Sequence, residues 1–150
     1  MKKLFSILVC LFMITVSAHA DLNAGQIKLR NEIKNFLAEE GYVPSIDEDG
    51  DITFKYEGRT HYIQIDDSDT SPYYICIFRS HSYSEAYTKE KLLRVVGETN
   101  FKKAVKLLCF SKTYQYRAEM YLTSSENFMY VCHKLLEQIS ALATEVGELM

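Results

Sequence analysis

Between residues 42 and 65 the chain reads YVPSIDEDGDITFKYEGRTHYIQI, short alternations of apolar and polar residues broken at Gly50 and Gly58. A strand alternates its side chains between two faces, and a slip of one residue turns every side chain over, so the two breaks decide the register. If Asp49-Gly50 alone turned the chain, Ile52 would pair with Asp47 and Phe54 with Ser45, mixing polar groups into the apolar face. A three-residue loop, Glu48-Asp49-Gly50 with the glycine in the left-handed position, instead sets Ile46 against Ile52 and Tyr42 against Tyr56. At the second break a short Glu57-Gly58 turn sets Ile52 against Ile63 and Phe54 against His61. Ile52, Phe54, Tyr56, Ile63 and Ile65 then share one face, which requires an antiparallel sheet with something packed on that side.

The same loop gathers Asp47, Glu48, Asp49 and Asp51 around one glycine. An EF-hand needs its glycine at position 6 and a bidentate Glu at position 12, whereas here the glycine comes fourth and position 12 is Gly58. The expected reading is a solvated turn with no metal; Asp47, Asp49 and Asp51 are the candidates if a cation binds. Asp66, Asp67 and Asp69, in the polar connection that follows, are read the same way.

Around these hairpins the periodicity predicts further elements. Leu29, Ile33, Phe36 and Leu37 recur at helical spacing over residues 24–40, and Gly41 stands where a helix exits. A strand is expected to begin at Tyr42. YYICIFRS, residues 73–80, predicts a fourth strand, and residues 82–100 a helix with Leu92, Val95 and Val96 inward and Gly97 weakening its end. Residues 102–122 predict a hairpin turning at Ser111-Lys112, with Val105, Leu107 and Cys109 beside Tyr114, Tyr116, Ala118 and Met120. From Ser125 onward a long helix carries Phe128, Val131, Leu135, Ile139, Leu142, Val146 and Leu149 along one stripe, with Cys132 at its edge. The order is α-β-β-β-β-α-β-β-α: an α+β fold with a mostly antiparallel six-stranded sheet.

The N-terminus predicts a leader. Lys2 and Lys3 precede the apolar run Leu4–Val16, and Ala18-His19-Ala20 is a small-x-small cleavage pattern. That run has 13 residues, too few for a bilayer span, which takes about 20. Residues 1–20 are expected to be a signal peptide cut after Ala20, leaving residues 21–150 as a single periplasmic or secreted domain with no membrane span. Losing the two lysines takes the net charge from −3 to −5, which argues against a nucleic-acid partner. Cys76, Cys109 and Cys132 show no C-x-x-C spacing and are read as buried thiols, a Cys109–Cys132 bridge being the alternative.

No catalytic constellation assembles from the sequence. Glycines of the mature part are never closer than eight residues, and neither G-x-S-x-G nor H-E-x-x-H occurs. Cys132 and His133 are adjacent on a helix and point about 100° apart. A hydrolase would need His81 or His133 in a deep pocket beside a carboxylate and a hydroxyl. Eleven tyrosines with no tryptophan fit strand composition before a sugar platform. The expectation is a non-enzyme without a cofactor.

The second sheet face is more informative. Tyr74, Cys76 and Phe78 oppose Tyr73, Ile75 and Ile77, and Leu108 and Phe110 oppose the Val105–Cys109 face, with Tyr62 and Tyr121 on the same outer side. A single helical layer hides one face only. Either a helix of the same chain covers these groups, or Tyr62, Leu108, Phe110 and Tyr121 are the partner-binding residues, for a second copy or another protein. The alternative function is a periplasmic small-ligand or cation binder using the acidic turns.

NFLAEEGYVPSIDEDGDITFKYEGRTHYIQI, with Gly41-Tyr42, the Asp49-Gly50 turn, Phe54 and Gly58, resembles the YbjN-type family of bacterial sensory transduction regulators over residues 25–150. The resemblance implies a fold similar to type III secretion chaperones, small dimeric proteins that bind other proteins through sheet and helical surfaces. It carries over no catalytic residues. The chain departs from the family pattern in its export signal. Together these features predict a non-catalytic protein-binding module of the bacterial cell envelope.

Overall fold

The computed structural model describes residues 22–66, 70–100 and 104–150. The expected leader with its cut after Ala20 lies outside the described residues, as do Asp67 and Asp69. Helix α1 (Ala24–Glu39) starts in a capping box: Asn23 Oδ1 accepts from the Gln26 N–H at 3.0 Å while Gln26 Oε1 accepts from the Asn23 N–H at 2.7 Å. It ends ahead of Gly41, whose φ of +88° only glycine adopts freely.

Six strands follow: β1 (Ser45–Ile46), β2 (Ile52–Tyr56), β3 (Arg59–Ile65), β4 (Tyr73–Ser82), β5 (Val105–Cys109) and β6 (Thr113–Leu122). Helix α2 (Lys89–Asn100) lies between β4 and β5, and α3 (Ser125–Leu149) closes the chain. All pairs are antiparallel, in spatial order β1-β2-β3-β4-β6-β5. This is the α+β architecture that the pattern predicts.

The registers are those of the alternation. Ile46 faces Ile52, Ile52 faces Ile63, Phe54 faces His61, and Cys109 faces Tyr114 across the Ser111-Lys112 turn. Gly50 takes φ +84° and closes the three-residue loop through Gly50 N–H to the Asp47 carbonyl. Tyr42 does not start a strand: β1 begins at Ser45, directly after Pro44, whose missing N–H removes a ladder donor. The Tyr42 and Tyr56 rings nevertheless meet at 6.3 Å.

One face of the sheet and all three helices form a single core. Ile52, Ile63, Ile75, Ile77, Leu107 and Ala118 pack under Leu29, Ile33, Leu37, Leu92, Phe128 and Ile139. Two further expectations need correction. Helix α2 starts at Lys89, not Ser82, because β4 runs through Ser82 and the Thr88 hydroxyl then accepts the Lys91 N–H, as an N-cap does. On α3 the buried stripe is turned by about one residue. Cys132 and Leu136 are fully buried, whereas Val131 and Leu149 are 39% and 44% exposed. All three described thiols are free, so Cys109 and Cys132 are not bridged.

Candidate functional site

Strand parity fixes what the second face displays. Across β3, β4, β6 and β5 the rows read Tyr62–Phe78–Arg117–Lys106 and Tyr74–Tyr121, with Leu108 beside Gln115. No helix among the described residues covers these side chains; the helices belong to the core on the other side. Tyr121 is 64% exposed and Phe110 40%, while Tyr62 and Leu108 are half-buried by their neighbours. Tyr62 stacks on Phe78 with ring centroids 5.2 Å apart and planes 15° apart, and Tyr74 leans on Tyr121 at 5.3 Å. Burial among these neighbours raises the Tyr74 hydroxyl to about 12 and the Cys76 thiol to about 12.

The four candidate residues share this face but do not form one patch. Tyr121 lies eight residues along β6 from Thr113, the neighbour of the Phe110 end, a span of about 27 Å at strand rise. Between the ends sits a charged group: Arg117 Nε lies 2.9 Å from Glu119 Oε1, and Lys106 Nζ lies 3.8 Å from Glu119 Oε2. The face is thus aromatic at both ends with an ion-pair cluster between them.

The acidic turn has a local role. Asp47 Oδ1 accepts the N–H groups of Asp49 and Asp51 at 3.1 and 2.9 Å, the geometry of an Asx turn. Burial, then the Asp47 and Asp49 charges, raise the Asp51 carboxyl to about 7. No group of three or more His, Cys, Asp or Glu among the described residues is arranged to hold a metal ion.

The three described histidines, His61, His81 and His133, occupy different environments. His61 is fully buried against Phe54 and Tyr56, its Nδ1 3.0 Å from the Arg59 carbonyl oxygen. His133 is half-exposed on α3, with Nε2 3.0 Å from Glu40 Oε2 and Nδ1 3.5 Å from the Tyr42 hydroxyl. His81 does line a cleft beside a carboxylate and a hydroxyl, those of Glu57 and Ser140. The hydroxyl donates to the carboxylate at 3.1 Å, while His81 Nε2 lies 3.5 Å from Arg79 Nη2. Ser140 and His81 are thus engaged elsewhere, not with each other as nucleophile and base. The sequence reading overlooked Arg79 here, although the parity of β4 carries it to the helix side with Ile75 and Ile77.

The fold is α+β, one antiparallel six-stranded sheet with three helices on one face. No protein-family model and no curated protein matches the sequence. Among solved structures, the chain is similar to an uncharacterized protein from Methanothermobacter thermautotrophicus, at 16% identity and TM-score 0.54, covering 79% of this chain and 96% of that one. It is also similar to a chain of the HopA1-SchA chaperone-effector complex, at 10% identity and TM-score 0.53, covering 81% of this chain and 98% of that one. At such identities the likeness is one of fold.

Proposed function

We propose that this chain is a non-catalytic protein-binding module of the bacterial cell envelope, exported by its N-terminal leader and acting as a homodimer through the outer sheet face. The carrying observation is that face itself: six strands backed, among the described residues, on one side only, with Tyr121 and Phe110 exposed and Tyr62 stacked on Phe78. The chaperone-like fold supports a protein as the partner, since the HopA1-SchA structure is of a chaperone with its effector. The order α-β-β-β-β-α-β-β-α supports the YbjN-type reading. Aromatic anchors around a charged centre suit an interface whose ion pairs set orientation.

Sedimentation of the purified chain at micromolar concentration tests the proposal. A dimer is expected, and Phe110→Ser combined with Tyr121→Ser should convert it to a monomer with unchanged circular dichroism. A wild-type chain that stays monomeric throughout removes the homodimer, and a dimer indifferent to both substitutions removes this face.

A further inference from the structure

On the helix side, opposite the proposed interface, the sheet continues past the end of its apolar core. There the end of β4 and the start of β6 meet the C-terminal half of α3 and the β2–β3 turn around a cleft of about 440 Å³. That volume is in the range of small-ligand sites.

Its floor holds a buried cation short of partners. Arg79 is only 8% exposed; among the described residues its Nε meets no acceptor and its Nη2 has a single contact, 3.5 Å from His81 Nε2. Its guanidinium carbon lies 5.8 Å from the centre of the Tyr116 ring. Among the described residues no carboxylate comes within ion-pair distance of it. Buried charges are ordinarily paired, and an unpaired one weakens the fold. Burial, then the charge of Arg59, pulls the Arg79 guanidinium below its ordinary range.

The rim adds a second guanidinium, that of Arg59, which is exposed. One carboxylate, Glu57, opposes them and accepts from Ser140 Oγ. Burial and the two arginines lower His81, keeping its ring neutral near pH 7. Two cations against one anion leave the cleft positive in a chain whose net charge is −3. The walls are flat: Tyr87 and Tyr114 lie nearly parallel at 6.0 Å, and His81 stacks on Tyr114 at 5.2 Å.

We infer that this cleft binds a small organic oxyanion, a carboxylate or phosphate monoester carried on a flat ring, with the oxyanion on Arg79 and Arg59 and the ring against Tyr87 and Tyr114. The guanidinium fork matches two oxygens of such a group, and aromatic walls reward a planar body.

Calorimetric titration and thermal melts of the purified chain with benzoate, phenyl phosphate, inorganic phosphate and neutral benzyl alcohol test the inference. Benzoate or phenyl phosphate at millimolar concentration should bind and raise Tm, whichever is tighter naming the head group, and benzyl alcohol should not. Arg59→Gln, an exposed change that leaves the core alone, should weaken binding roughly tenfold. Arg79→Met should abolish binding and yet raise the Tm of the ligand-free protein, a pairing that a merely structural arginine would not produce. The inference fails if neither ring-bearing anion binds, if benzyl alcohol binds equally well, or if both arginine variants bind as the wild type does.

Discussion

Replacing His61 by Phe should remove most of the acid sensitivity that this side chain builds into the sheet. His61 is fully buried, and its ring centroid lies 5.7 Å from Phe54 and 5.8 Å from Tyr56. Nδ1 donates to the Arg59 carbonyl, and Nε2 has no partner, so a second proton would create a buried donor with nothing to receive it. Burial accordingly pulls the imidazole from 6.5 down to about 4, with Arg79 and His81 adding to the effect against the Arg59 hydrogen bond. The folded pKa lies below the unfolded one, so the unfolded chain binds the proton first, and stability present above pH 6.5 is lost as pH falls towards 4. Linkage gives a loss of roughly 2 kcal/mol between pH 7.5 and pH 4.5 from this group. Phenylalanine keeps the ring and cannot titrate. Urea unfolding of both proteins at the two pH values isolates the effect, because other titrating groups cancel in the difference. The wild type should lose roughly 2 kcal/mol more than the variant. Equal losses would refute the reasoning.

Two further outcomes follow from the packing. Asp51→Asn should stabilise the protein at pH 8 relative to pH 4, because the Asp51 carboxyl is raised to about 7 and its contribution is lost as pH rises through that value; urea midpoints at the two pH values check the sign. Phe128→Ala removes a fully buried ring that meets Phe36 edge-on at 6.3 Å and should cost about 3–5 kcal/mol, read as a lowered urea midpoint.

The strands were legible because two independent signals agreed on them. Alternation selected the face, and Gly50 and Gly58 selected the turn length, so the partners of Ile52 followed without any long-range information. Helix α3 shows where that agreement ends. Val131 and Cys132, like Leu135 and Leu136, are adjacent apolar pairs, and spacing alone does not say which of two neighbours faces the sheet; the angle at which the helix crosses the strands does. The start of α2 was misread because Ser82 to Thr88 contain neither glycine nor proline, and their turn closes through Ser84 Oγ and the Tyr87 carbonyl. The outer face was readable from parity, but its division by Arg117 and Glu119 emerges only when strands distant in sequence lie side by side. The cleft was missed for a similar reason. Ending β4 at Ser80 left out His81, which strand parity carries to the helix side beside Arg79.

The strand order also fixes the sequence of events during synthesis. β4 and β6, each of ten residues, are central neighbours, yet α2 and β5 are made between them. As the chain emerges from its N-terminus, the β1–β4 portion therefore presents Tyr73–Ser82 as a bare edge until Thr113–Leu122 arrive to occupy it. An uncapped strand of that length is a template for any other extended chain nearby, so the nascent protein is most prone to aggregate in the interval before its last hairpin appears.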